Sequence, residues 1–179
     1  MPLPYRPLTK SASNGLAAYL WIEQQELTFY GGLLVTDSIG QPVEFVYSSA
    51  DSPSSFLWPQ DEVRRVAVAR IAHVLFDACE KSPSILIASQ EIGSADFCRE
   101  HLGPSIPFVL VSTGSLTEEI QCTPIGEPPS GIANAILNEL KRRKLLVEPF
   151  DRIRSAFTEV FSDFSVADEN IRAKNDGNR

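Results

Sequence analysis

The chain has 179 residues, 43% of them hydrophobic and 22% charged, with a formal net charge of -7 and a pI near 4.9. That is enough for one domain with its own core, and the acidic balance argues against a surface built to hold nucleic-acid backbones. Three widely spaced cysteines, Cys79, Cys98 and Cys122, fit neither a disulfide framework nor a zinc cluster; they suit a reducing cytoplasm as small buried apolar residues.

Residues 1–15 carry three prolines and a Ser/Asn/Gly stretch and read as a flexible arm. MPLPYRPLTK lacks the continuous apolar segment of a secretory signal, and nowhere does an apolar run approach the roughly 20 residues of a membrane span. Leu16 to about Gln24 reads as a strand. Leu27 to Tyr47, LTFYGGLLVTDSIGQPVEFVY, reads as a β-hairpin around the turn Asp37-Ser38-Ile39-Gly40. Val43, Phe45 and Tyr47 fall on one face of its second strand, and Glu44, Val46 and Ser48 on the other. Leu33, Leu34 and Val35 suit a strand covered on both sides, while Gly31-Gly32 marks a bulge or sheet bend, or else a site where a ligand or another chain lies against the strand.

A Ser/Pro-rich loop over 48–60 carries Phe56, Leu57 and Trp58. These residues serve either as a lid on the core or as an exposed anchor for a partner. Asp61 to Lys81 is a helix with acidic residues in its first turn, a core face of Val63, Ala67, Ile71, Val74 and Ala78, and Lys81 at its close. His73 lies off that face. Ile85–Ala88 and Phe108–Val111 are short, wholly apolar runs, the pattern of buried parallel strands. Between them Ser94 caps a short helix to about Leu102, ended by Gly103-Pro104. Cys98 and His101 fall at i, i+3 on it and read as structural.

After Ser112 comes a long Ser/Thr/Gly/Pro-rich loop with room for one short strand around Ile120–Cys122. A helix follows from Gly131 to about Leu146, with Ile132, Ala135, Ile136 and Leu140 on one side. The basic run Lys141–Lys144 suits its C-terminal end. Pro149 opens a last helix whose stripe of Phe150, Ile153, Phe157, Val160, Phe161 and Phe164 is for core packing or, as the minority reading, for docking another subunit. Residues 165–179 read as a disordered tail.

The expected fold is a single α/β domain over 16–164. Its mixed five-stranded sheet has an antiparallel meander followed by parallel crossover strands, with helices packed on it. This element order resembles that of ribonuclease-H-like proteins, an analogy of topology alone. Enzymes of that kind use clustered carboxylates to hold two metal ions. The matching places hold Glu23 on the first strand, Asp61 or Asp77 on the first helix, Glu91 after the fourth strand, and Glu148 or Asp151 late in the chain, with no motif tying them together. Neither a Gly-rich phosphate loop nor a GxSxG elbow occurs. The loops holding Ser89, Glu91, Ser112, Thr113, Gly114 and Ser115 lie where open α/β sheets bind ligands.

GGLLVTDSIGQPVEF and the late LLVEPFDRIRSAF resemble a pattern found in uncharacterised bacterial proteins. The resemblance implies a bacterial cytoplasmic origin and brings no activity with it. On these grounds the expected function is a non-catalytic accessory subunit. It has no catalytic residues, no metal and no cofactor, and it binds another protein, or itself, through Phe56, Trp58, Phe157 and Phe161. Neither nucleic acid nor membrane is expected as a partner. The alternative is a divalent-metal-dependent nuclease or phosphodiesterase with a ribonuclease-H-like fold and a degenerate carboxylate site.

Overall fold

The computed structural model describes residues 15–52, 58–103, 105–113 and 120–161. The arm before Gly15, Phe56 and Leu57 of the Ser/Pro-rich loop, the loop residues Gly114 and Ser115, and Phe164 with the tail lie outside them.

The described strands are β1 Leu16–Gln25, β2 Thr28–Asp37, β3 Pro42–Asp51, β4 Ile85–Ser89, β5 Phe108–Thr113 and β6 Ile120–Ile125. They form one mixed sheet in the order β3-β2-β1-β4-β5-β6. Pairing is parallel for β1 with β4 and β4 with β5, and antiparallel elsewhere. The expected strand count of five is therefore one too low. Residues 120–125 pair with β5 along its whole length, although their alternating pattern of half-buried and exposed residues gives only a weak local signal.

β1 is covered on both faces because strand alternation sends successive side chains to opposite sides. Ala18, Leu20 and Ile22 join one core cluster, while Ala17, Tyr19 and Trp21 join the other. Helix α1 (Gln60–Ala78) and the short α2 (Ala95–Phe97, continued as a π turn over Cys98–Leu102) cover the first face. Helices α3 (Gly131–Arg142) and α4 (Glu148–Val160) cover the second. Among the described residues no helix is long and apolar enough to cross a membrane.

The Asp37–Gly40 turn forms as expected. Asp37 Oδ1 accepts the amides of Ile39 and Gln41, each at 2.9 Å, and Gly40 takes φ +82°. The Gly31-Gly32 pair is not a bulge: pairing runs unbroken through both glycines, and the register shift sits at Val35/Thr36. Instead, each glycine admits a helix on one face. A Cβ at Gly31 would collide with Ile71 of α1, and one at Gly32 would come within 2.8 Å of Ile153 and Phe157 of α4.

The core face of α1 differs from the expected set in its second half. Val63, Ala67 and Ile71 are buried, but Val74 is exposed, Ala78 likewise, and Val68, Ala72 and Leu75 take over. Steps of four from Val63 run through Ala67 and Ile71 to the buried Leu75, whereas the step of three from Ile71 to Val74 turns about 300° and leaves the face that α1 lays on the sheet. The helix also ends at Ala78, with Glu44 of β3 accepting the next amides, from Glu80 at 2.8 Å and Lys81 at 2.9 Å. In α3 the buried residues are Ala133, Ile136, Leu137 and Leu140, and Ile132 is exposed.

Candidate active-site cleft

The parallel strands β4 and β5 end near the level of Trp21 in β1, beside the first turns of α4. There a cleft of about 410 Å³ is lined by Trp21, Ser89, Gln90, Glu91, Ser112, Phe150, Asp151 and Arg154, among others. Strand ends of this kind leave room because the chain must turn away from the sheet into its next connection. Glu91 stands on a single 3-10 turn, Gln90–Ile92, directly after β4. That turn is pinned on both sides. Ser89 Oγ accepts the Glu91 amide at 3.3 Å, and Arg64 of α1 donates from Nη2 to the Glu91 carbonyl at 2.9 Å.

Asp151 and Arg154 come from the opposite wall, three residues apart on α4 and so on one helix face. Arg154 reaches Glu23 of β1 at 3.8 Å and Asp151 at 3.7 Å, with its guanidinium carbon 6.0 Å from the centre of the Trp21 ring. Trp21 forms the floor, packed against Phe157 with ring centres 5.1 Å apart. Glu23 and Asp151 therefore share one cation on this wall.

The structure brings together only part of the expected carboxylate set. Glu91 and Asp151 share the cleft, and Glu23 joins them through Arg154. Asp61 lines a separate smaller cavity beside Arg64 and Arg65, Asp77 is exposed near the far end of α1, and Glu148 pairs with Arg152 at 2.7 Å. Arg152 also donates to the Gly40 carbonyl at 2.7 Å, which turns it toward the β2–β3 turn. Among the described residues no three His, Cys, Asp or Glu side chains are grouped to hold a metal ion. A two-metal centre therefore does not fit. Glu91 and Asp151 offer carboxylate oxygens, the donor type that a hard cation such as Mg²⁺ takes, with water and substrate phosphate completing its shell.

Of the proposed contact residues, Trp58 is 56% exposed and Phe157 only 1%, at the centre of the aromatic packing between β1–β3 and α4. Phe161 stacks on Phe157 and meets Tyr30 and Tyr47 edge-on. Cys98 is buried, whereas His101 is exposed and lies against the Phe97 ring. The basic run at the end of α3 is partly neutralised, with Glu139 taking both Arg142 and Arg143 at 2.6 Å.

No family model matches the chain. No curated protein matches it either. Similar solved structures include endonuclease V from Bacillus subtilis (16% identity, TM-score 0.35, 57% of this chain and 45% of that one). They also include Ciona intestinalis endonuclease V in complex with a 24-mer DNA containing an inosine followed by a ribo-adenosine (9% identity, TM-score 0.40, 75% of this chain and 57% of that one). The chain spans about half the length of these structures. Both are nucleases, and one is bound to DNA. The expectations of a non-catalytic, protein-binding subunit and of nucleic acid as an improbable partner are corrected accordingly. Likenesses this remote carry no activity across, so a function for this chain has to be argued from its own cleft.

Sequence reading located the strand-end loops, with Ser89, Glu91 and Ser112, but missed Arg154 and Trp21. The available signals were the i, i+3 spacing of Asp151 and Arg154 and the placement of Trp21 on the same strand face as Tyr19.

Proposed function

We propose that the chain is a divalent-metal-dependent nuclease or phosphodiesterase, built on a ribonuclease-H-like arrangement, with the strand-end cleft as its active site. One observation carries this reading: Glu91 and Asp151, from elements far apart in the chain, line the same cleft. Its volume falls in the range of small-ligand sites. The order of β3, β2, β1, β4 and β5, with parallel pairing confined to β1, β4 and β5, supports it.

Glu91 and Asp151 are the residues that would hold the ion. When bound, the ion would supply a Lewis acid for a phosphoryl oxygen. The chain's own groups have separate tasks. A carboxylate at the wall is suited to take a proton from attacking water. The hydroxyls of Ser89 and Ser112 offer hydrogen bonds to phosphate oxygens, and Phe150 and Trp21 limit the water behind the site. A chain of net charge -7 repels polyanions at long range, so substrate capture would depend on positive charge concentrated in the cleft.

The test is cleavage of labelled single- and double-stranded DNA and RNA with Mg²⁺, Mn²⁺ or EDTA, by the native protein and by the Glu91→Gln and Asp151→Asn variants. The expected result is ion-dependent cleavage that falls by about a hundredfold or more in each variant. Cleavage of no substrate, or cleavage indifferent to both substitutions, would overturn the reading.

A further inference from the structure

Beyond the Gln90–Ile92 turn, on the opposite face of the sheet, lies a second and smaller cavity of about 230 Å³. Asp61, Arg64, Arg65, Ile92, Gly93 and Ser94 are among its lining. Ile92 belongs to the first core cluster, whereas Trp21, Val111 and Phe150 of the strand-end cleft belong to the second, so one short turn separates the two openings. The volume lies below the roughly 300 Å³ at which small-molecule sites begin, which suits a group such as phosphate better than a whole nucleotide.

Its charge stands out in a chain of net charge -7. Arg64 is half-buried, and the partner that holds it is neutral, the Glu91 carbonyl at 2.9 Å. Among the described residues no ion pair joins it to a carboxylate. A guanidinium taken partly out of water without a counter-charge favours an anion beside it, and four of its five N–H donors remain for one. Arg65 meets Glu62 at 3.8 Å with both side chains largely exposed, a weak attachment. Ser94 Oγ accepts the Phe97 amide at 3.2 Å, which leaves its hydroxyl proton for a ligand oxygen. Asp61 is the one carboxylate in the lining, exposed and without an ion pair to either arginine among the described residues.

We propose that this cavity receives a backbone phosphate of a nucleic-acid strand, another phosphodiester of which occupies the strand-end cleft. Arg64 and Arg65 bind that phosphate, and the strand crosses the sheet edge over the Gln90–Ile92 turn. Arginine suits the task, since its planar fork matches two phosphate oxygens. The inference rests on the reading of the cleft as a phosphodiesterase site and narrows its substrate to a polymer, because a single nucleotide has no second phosphodiester to reach the arginines.

Anisotropy of a labelled single-stranded oligonucleotide in EDTA reads binding without turnover. Arg64→Met and Arg65→Met should each weaken it by about tenfold and reduce the slope of log affinity against log salt by about 0.7. Arg64→Lys and Arg65→Lys should keep most of the affinity. Lys141→Met and Lys144→Met, at the C-terminal end of α3, should leave it unchanged; an equal loss there would show a general charge effect and overturn the proposal. Arg64 also holds the Glu91 turn, so Arg65→Met decides the case: unchanged affinity in that variant overturns the strand path and leaves the phosphodiesterase reading intact. Inorganic phosphate or a mononucleotide should displace the oligonucleotide poorly, and displacement by either at the oligonucleotide's own concentration would assign the cavity to a free anion instead. Absence of oligonucleotide binding by the native protein also overturns the path. Arginine-dependent binding without cleavage in Mg²⁺ or Mn²⁺ would overturn the phosphodiesterase reading and keep the arginine pair as a nucleic-acid contact.

Discussion

The edge of the Phe157 ring fills the space where a side chain on Gly32 would begin, 2.8 Å from an ideal Cβ position. Gly31 stands in the same relation to Ile71 on the opposite face. Two adjacent residues of β2 thus set how closely α4 and α1 approach the sheet. Gly32→Ala should destabilise the protein by about 1–3 kcal/mol, because Phe157 and Ile153 are buried and have nowhere to retreat. Gly31→Ala should cost at least as much, against Ile71 and Leu75. Urea unfolding followed by circular dichroism measures both, and a loss within experimental error for either would show the helices free to shift.

Glu44 ties the edge strand β3 to the end of α1. The amides of Glu80, first, and Lys81 hold its carboxyl below the usual carboxylate range, with the Cys79 thiol as a further donor. A folded-state pKa below the unfolded one means that this stabilisation is complete above the ordinary carboxylate range and disappears as pH falls through the folded value. Glu44→Gln should therefore lower Tm by a few degrees at neutral pH, and the gap from the native protein should close on acidification below about pH 4. Calorimetry across that range decides it. A gap that stays constant with pH would assign the effect to packing instead.

Tyr19 lies in the core beneath α4, with its hydroxyl donating to the Leu145 carbonyl at 2.8 Å and its ring edge-on to Phe150. Tyr19→Phe should cost about 1–2 kcal/mol, since it leaves the Leu145 carbonyl short of a donor. Burial pushes the phenol above its ordinary range. Stability from the neutral phenol is complete below the unfolded value near 10 and is lost as pH rises past it. The native protein should lose stability above pH 10 more steeply than Tyr19→Phe, as read from denaturant midpoints at stepped alkaline pH.

Cys98 is sealed between α2 and the first core cluster, and burial pushes its thiol up to about 11. Alkylation at neutral pH followed by peptide mass spectrometry should leave Cys98 unmodified in the folded protein and modify it fully in denaturant. Labelling of native Cys98 at the rate of a free thiol would show that α2 opens readily.

Much of the fold is local information. Alternation in β3, and unbroken apolar runs in β4 and β5, specify strands and the faces they bury, because the period-two geometry of a strand sorts side chains without reference to the rest of the chain. The Asp37–Gly40 turn is equally local, since Asp37 satisfies amides two and four residues ahead of it. Phe157 shows the limit of such reading: its place in an aromatic stripe is visible, but only the packing of α4 on β2 decides that it is core.

Residue order alone thus determined the β-strand framework, the helices between and after its strands, and the loops where a site would open. Tertiary structure decided the sixth strand, the face that α1 buries, and the meeting of Arg154 with Glu23, Asp151 and Trp21. The physical reason is range. Periodicity and turn chemistry act between neighbours in sequence, whereas charge pairing and cavity shape depend on distances that exist only after the helices have closed on the sheet.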